Sequence, residues 1–296
     1  MNVLVTGATG TVGTHVVRAL QTRGASVRAF VRDAGKAAQA LGHDTEFAVG
    51  DFADRNSLER AMKEADRVFL ACANVPGQVA YEKAAIDAAH AAGVTRIVKL
   101  SGPHAALDSP LVFERWHGEI ERHLDASGLP SVRLRPSTYM TNLLAYAATI
   151  SQTGMLFAPA GIAKISFVDP RDVADAAAVT LVEDGHDGNT YELTGPQAVT
   201  FDQIAEQLSA ATGRSVSYVD VPDDAARQGM LDAGLPSFAV DAIVDIFRSQ
   251  RASLMAQTTD TVRALTGRDA RPIAEFVRDF AGAFGAGLPY SAAASS

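Results

Sequence analysis

Gly7, Gly10 and Gly13 recur at every third position where two unlike patterns meet: the apolar run Val3-Leu4-Val5 precedes them, and Val12, Val16 and Leu20 follow at helical spacing. A strand that turns through glycines into a helix presents the helix's unpaired N–H groups and positive dipole end to whatever lies above the turn. Missing side chains let an anion approach that backbone closely. The chemistry this spacing can do is to bind a pyrophosphate, with Gly7, Thr9, Gly10, Thr11, Val12 and Gly13 as its cradle. Three glycines alone are a weak signal; the flanking strand and helix patterns make it a dinucleotide signal.

The end of the second strand in such a site chooses between coenzymes, because a carboxylate there accepts from a ribose 2′-hydroxyl and cations pair with a 2′-phosphate. Here it reads Phe30-Val31-Arg32-Asp33-Ala34-Gly35-Lys36. Arg32 at the strand's edge and Lys36 a helical turn later can share one phosphate, the arginine through its planar fork. Asp33 suits the non-phosphorylated coenzyme, or it caps the helix that begins at Ala34. The two cations favour NADPH. On the same carboxyl side, Asp51 and Phe52 close the third strand and flank the adenine. Ala71, Cys72 and Ala73 end the fourth, where small side chains are wanted, and Ser101 and Gly102 end the fifth beside the nicotinamide ribose. Pro136, just past the sixth strand, completes the set.

The elements that must position these residues are legible as an alternation of strands and helices. Strands are expected at 3–6, 26–31, 45–49, 67–71, 96–100 and 131–134, with helices between them and Gly24, Gly93 and Gly128 as left-handed stops. Alternation of this kind requires right-handed crossovers, hence an α/β fold: a doubly wound parallel sheet, or Rossmann fold. The dinucleotide-binding part is expected over 1–136. A smaller, mainly helical C-terminal part over 137–284 completes the sheet and walls a substrate pocket, and 285–296 reads as a tail. In that second part strands are expected at 164–167 and 190–193. A capping box, Thr200-Phe201-Asp202-Gln203, opens a helix that stops at Gly213, and further helices are expected at 240–247 and 273–284.

The 296 residues are 47% hydrophobic and 20% charged, enough to build a large packed core. A net charge of −8 with no basic run argues against nucleic acid as a partner. No apolar stretch approaches membrane-spanning length, which excludes a membrane partner, and a single cysteine, Cys72, cannot form an internal disulfide; a cytoplasmic protein is expected.

Taken together, these segments resemble the NmrA-like, atypical branch of the short-chain dehydrogenase/reductase superfamily, which includes NADPH quinone oxidoreductases and triphenylmethane and azo dye reductases. The likeness rests on Val5-Thr6-Gly7-Ala8-Thr9-Gly10-Thr11-Val12-Gly13, Val31-Arg32-Asp33 with Lys36, Gly50-Asp51-Phe52, Leu134-Arg135-Pro136, Asn142-Leu143-Leu144, Asp169-Pro170-Arg171-Asp172-Val173-Ala174 and Tyr191-Glu192-Leu193-Thr194-Gly195-Pro196, and so spans nearly the whole chain. It implies an enzyme that binds NADPH and passes hydride to a flat conjugated acceptor such as a quinone. Two other roles occur among such relatives: a tailoring protein acting on an aromatic polyketide, not necessarily by reduction, and a dinucleotide-sensing regulator without turnover.

Conventional members of that superfamily protonate a carbonyl with a Tyr-x-x-x-Lys pair. None of Lys36, Lys63, Lys83, Lys99 or Lys164 has a tyrosine four residues before it. A quinone needs less help, because aromatisation stabilises the oxyanion formed on reduction. Two residues can still supply a proton or a hydrogen bond. His117 lies on the helical run 111–127, with Glu121 at i+4 to orient it and raise its pKa, or simply to pair with it on a helix surface. Tyr139 follows Arg135-Pro136-Ser137-Thr138 on the segment expected near the nicotinamide and substrate, where it either donates to an acceptor oxygen or packs in the core. No His-Glu-x-x-His spacing points to a metal, and no Gly-x-Ser-x-Gly elbow points to a serine nucleophile.

Overall fold

The computed structural model describes residues 1–285. Seven parallel strands form the main sheet: β1 (Asn2–Val5), β2 (Ser26–Val31), β3 (Glu46–Val49), β4 (Arg67–Leu70), β5 (Arg96–Leu100), β6 (Ser131–Pro136) and β8 (Thr190–Leu193), in the order β3-β2-β1-β4-β5-β6-β8. The two strands β7 (Met155–Ala158) and β9 (Ser217–Asp220) pair separately, again in parallel. The order reverses between β1 and β4. Parallel sheets bind ligands outside their carboxyl ends at such a switch point, and here the glycine turn follows β1 directly.

Helices α1 (Gly13–Thr22), α2 (Ala34–Leu41), α3 (Arg55–Met62), α4 (Gln78–Ala92), α5 (Val112–Ser127), α6 (Ala147–Thr153) and α7 (Pro170–Val182) follow in chain order. α1 and α7 pack together on one face of the sheet, and α3, α4 and α5 pack in sequence on the other. Covered on both faces, the central strands are buried almost throughout: Val3, Leu4, Val5, Val68, Phe69, Leu70, Ile97 and Val98.

The described residues gather into two compact units. The first holds Met1–Pro136, Pro170–Leu193 and Thr261–Arg268; the second holds Ser137–Asp169, Thr194–Asp260 and the segment from Asp269. The chain thus leaves the first unit at Pro136 and returns to it twice. In the second unit, Met140, Leu143, Ile165, Phe167, Phe201, Ile204, Phe247 and Phe276 belong to one core cluster. The expected tail lies, from residue 286 on, outside the described residues.

The six strands expected before residue 136, and the one at 190–193, are present with ends shifted by no more than two residues. The expected strand at 164–167 is not. Ile165 and Phe167 are buried as alternation suggests, but Ser166 between them is buried too, bonded to Ser137 and to the Met255 carbonyl, and only an isolated bridge joins Ile165 to Val199. Helix 201–212 opens with the full Thr200–Gln203 capping box and stops at Gly213 (φ +67°). The expected helix 273–284 breaks at Phe280 into Ile273–Asp279 and Ala281–Phe284.

One hydroxyl sets the spacing of the central crevice. Thr6, fully buried, accepts from the Ala71 amide at 2.8 Å and faces the Phe69 and Ala71 carbonyls at 3.1 and 3.0 Å. It clips the end of β1 to the end of β4. Thr6→Val keeps the shape but leaves that amide and carbonyl unpaired in the core, and urea unfolding is expected to show a loss of about 1–3 kcal/mol.

Candidate functional site

The site is built from the carboxyl ends of parallel strands, which bring their following residues to one edge of the sheet. At its centre the glycine turn is tight. Gly7 has φ +58°, and a Cβ on it would lie 2.9 Å from the Ala71 carbonyl oxygen; a Cβ on Gly13 would lie 2.0 Å from the Gly7 carbonyl oxygen. α1 therefore starts hard against the end of β1. Its N-cap, Val12, provides no side-chain cap, and the Thr11 and Val12 amides donate to no group among the described residues. Uncapped amides above a turn with no room for side chains fit a pyrophosphate.

Around this centre the expected residues fall into three groups. Arg32, Asp33 and Lys36 are exposed at the end of β2 and the start of α2. Asp33 is the N-cap of α2, its Oδ1 accepting from the Lys36 amide at 3.1 Å, so its carboxylate is engaged by the helix. The Arg32 guanidinium and Lys36 ammonium make no ion pair among the described residues. Two free cations beside a committed carboxylate fit a phosphate better than a ribose hydroxyl.

Asp51 and Phe52 follow β3, with Oδ1 of Asp51 accepting from the Ala53 amide at 2.8 Å and Phe52 edge-on to Phe30 at 5.7 Å. Beyond β4, Ala71 is buried, Cys72 half-buried and Ala73 exposed. Burial and then the nearby Glu82 push the Cys72 thiol up to about 12, so it stays protonated and unreactive.

The third group, after β5 and β6, differs from expectation. The Ser101 hydroxyl is engaged within the protein, donating to Glu121 Oε1 at 2.6 Å. Arg135 grips the same carboxylate with a fork, Nη2 to Oε2 at 2.6 Å and Nε to Oε1 at 3.1 Å, and also donates to the Ala105 carbonyl. Glu121 consequently does not orient His117. A bidentate guanidinium outcompetes an imidazole for a carboxylate. The partner of His117 is instead Lys99 of β5, whose Nζ lies 3.2 Å from Nδ1. His117 is 7% exposed, and its pKa is lowered well below 6.5, not raised: burial, then the Lys99 and Arg135 cations, oppose a third positive charge.

The loop 101–111 is fastened to α5 on its whole length. Gly102 lies against the His117 ring and Gly118 against the Ala106 backbone, each too close for a Cβ, and Arg115 donates to the Ser109 and Pro110 carbonyls. Pro136 closes β6, in register with Leu193 of β8. Tyr139, in the second unit, stands at the start of the short 3-10 segment Met140–Tyr146 and bridges to Val168. Its hydroxyl has no partner among the described residues, and burial raises its pKa, so the phenol is held protonated and can only donate or accept a hydrogen bond.

Reasoning from sequence missed Thr6, Lys99, Glu82 and Arg135. Lys99 carried a signal: a lysine inside Arg96-Ile97-Val98-Lys99-Leu100, a strand buried on both faces, is costly unless paired.

His117 also links fold to pH. The unfolded chain binds a proton at this residue near pH 6.5 and the folded chain does not, so stability is full above that value and is lost as pH falls below it. Between about pH 6.5 and 5 the wild type is expected to lose stability more steeply than His117→Asn, by up to about 1.4 kcal/mol per pH unit. Parallel urea-unfolding curves for the two proteins over that range would contradict this.

A doubly wound parallel sheet with an uncapped glycine turn at its switch point defines a dinucleotide-binding α/β protein. The sequence profile of the NmrA-like family matches residues 1–273, and the chain belongs to that family. It is 39% identical over 284 residues to an NAD(P)H azoreductase of Xenophilus azovorans, covering 96% of this chain and 99% of the relative. It is 37% identical to a (4-alkanoyl-5-oxo-2,5-dihydrofuran-3-yl)methyl phosphate reductase of Streptomyces griseus, over 95% of this chain and 99% of that one. Among solved structures it superposes on the NADPH complex of an NADPH-dependent quinone oxidoreductase from Escherichia coli with a TM-score of 0.86 and 30% identity, covering 94% of this chain and 99% of the other. Among the described residues no helix is long and apolar enough to cross a membrane, and no group of three or more His, Cys, Asp or Glu is placed to hold a metal ion.

Proposed function

We propose that the protein is an NADPH-dependent reductase of quinones and related electron-poor conjugated acceptors. The observation that carries this reading is the glycine turn with free amides, flanked by the unpaired cations Arg32 and Lys36. When bound there, the reduced nicotinamide supplies a hydride. The chain's own residues do the rest: the Thr11 and Val12 amides hold the pyrophosphate, Arg32 and Lys36 hold the 2′-phosphate, and Ala71, Cys72 and Ala73 leave room for the dinucleotide. Gly102 lets the ribose end approach β5, and His117 provides a neutral donor for an acceptor atom that becomes electron-rich on reduction.

The relatives support the acceptor class through what their names have in common. An azo bond, a furanone double bond flanked by carbonyl groups, and a quinone are all conjugated systems that accept hydride and stabilise the resulting charge by delocalisation. They lend no specific support to a polyketide-tailoring or a regulatory role.

The test is to mix the protein with NADPH and a panel of quinones, azo dyes and conjugated lactones while following the reduced-nicotinamide absorbance. Catalysed oxidation with at least one class is expected. Tight binding of NADPH with no oxidation across the panel would contradict the reading and indicate a sensor.

A further inference from the structure

Behind His117 runs a line of buried polar groups that coenzyme binding does not explain. Gln78 and Glu82 of α4 are joined, Nε2 to Oε1, at 3.0 Å, and Glu82 Oε2 lies 2.8 Å from Lys99 Nζ. The ammonium directs its remaining hydrogens to the Leu100 carbonyl at 2.6 Å and to His117 Nδ1 at 3.2 Å. The side chains of Lys99 and Glu82 are both 0% exposed. An ion pair this deep is a poor source of stability, since a well-packed apolar pair of the same volume does as well. It does provide direction.

An ammonium carries hydrogens and no acceptor, so any polar atom it touches must accept from it. At the His117 contact the lysine therefore donates and Nδ1 accepts, which places the proton of the neutral ring on Nε2. Nε2 makes no hydrogen bond among the described residues. The Cδ2–Nε2 edge lies against Gly102, where an added Cβ would fall 2.7 Å from Cδ2 and 3.4 Å from Nε2. Glycine at 102 is what keeps that edge from being covered.

We infer that Lys99 is a positioning residue: anchored by Glu82, it pins His117 as the Nε2–H tautomer and so holds one N–H donor at the carboxyl end of β5, ready to bond the acceptor atom of a conjugated substrate. The inference rests on the reductase reading for the identity of that substrate, but not for the tautomer. The charged groups acting on the ring are Lys99 on β5 and Arg135 on β6, with Glu82 beyond the lysine. Burial, and then the two cations, keep the ring neutral, so the donor is maintained across the physiological range without becoming an imidazolium.

The experiment is nitrogen-15 NMR of histidine-labelled protein, with the His117 signals assigned by their loss in His117→Asn. In the wild type Nδ1 is expected to be unprotonated and Nε2 protonated, with no titration from about pH 8 down to 5.5. In Lys99→Met/Glu82→Gln, which removes both charges and strands neither, Nδ1 loses its donor and the tautomers mix. In the same variant kcat falls roughly tenfold with KM for NADPH unchanged, the loss of one oriented hydrogen bond in the transition state. A wild-type ring protonated on Nδ1 would overturn the inference, and so would an unchanged His117 spectrum in the double variant. The wild-type measurement needs no variant to fold. Calorimetry with NADPH on the same samples judges the reductase reading separately: absence of heat removes that reading and leaves the tautomer result standing.

Discussion

Gly13→Ala is expected to lose coenzyme binding by roughly 100-fold, the equivalent of two charge-assisted hydrogen bonds, and to cost about 3 kcal/mol of stability. The physical reason is a collision with backbone, which cannot rotate away. The new methyl would lie 2.0 Å from the Gly7 carbonyl oxygen, 2.8 Å from its carbonyl carbon and 2.9 Å from the Ala8 Cα. Relief requires α1 to lift off the end of β1, and the amides of Thr11 and Val12 move with it. Gly10→Ala is the control in the same loop: its methyl meets one atom, the Gly7 carbonyl oxygen, at 3.2 Å, and a small shift accommodates it. Calorimetric titration with NADPH and urea unfolding of both variants check the ranking. Equal effects at the two positions would show that the close packing of Gly13 is not what shapes the cradle.

Arg32→Ala is expected to weaken NADPH binding by about 30- to 100-fold, a loss of about 2–3 kcal/mol, and to leave NADH binding within about twofold of the wild type. The guanidinium is exposed and unpaired among the described residues, so its removal breaks no internal contact and stability should be unaffected. Asp33→Asn separates the two readings of its neighbour. Asparagine caps a helix as well as aspartate does, so α2 is retained, while a negative charge beside the 2′-phosphate is removed. NADPH affinity should hold or rise slightly. A fall in NADH affinity in Asp33→Asn, with NADPH affinity unchanged in Arg32→Ala, would mean that the carboxylate reads a ribose hydroxyl.

What could be read from sequence was whatever depends on local pattern. The glycine turn, the parallel strands before residue 136 and the capping box at Thr200 each follow from residue types within a few positions of one another. What could not be read was decided by partners distant in the chain. Ile165 and Phe167 alternate like a strand but are buried by a core assembled from Phe201, Ile204 and Phe276, with no neighbouring strand to pair along their length. The pair β7 and β9 is not legible because neither strand is set off by a regular strand-helix alternation and they meet across 62 positions, Met155 with Ser217. A helical-wheel argument placed Glu121 beside His117 correctly but could not weigh the competing guanidinium of Arg135, which arrives from β6. The same argument could not see that Lys99, on a strand, and Glu82, on another helix, would converge on the histidine from the far side.

The central claim is that the crevice between β1 and β4 takes a dinucleotide bearing a 2′-phosphate. Isothermal calorimetry of the wild-type protein with NADPH and NADH, at one fixed ionic strength, tests it most directly. NADPH is expected to bind at least about tenfold more tightly, with the preference shrinking as salt rises and screens Arg32 and Lys36. Equal affinities for the two coenzymes, or no heat with either, would contradict it.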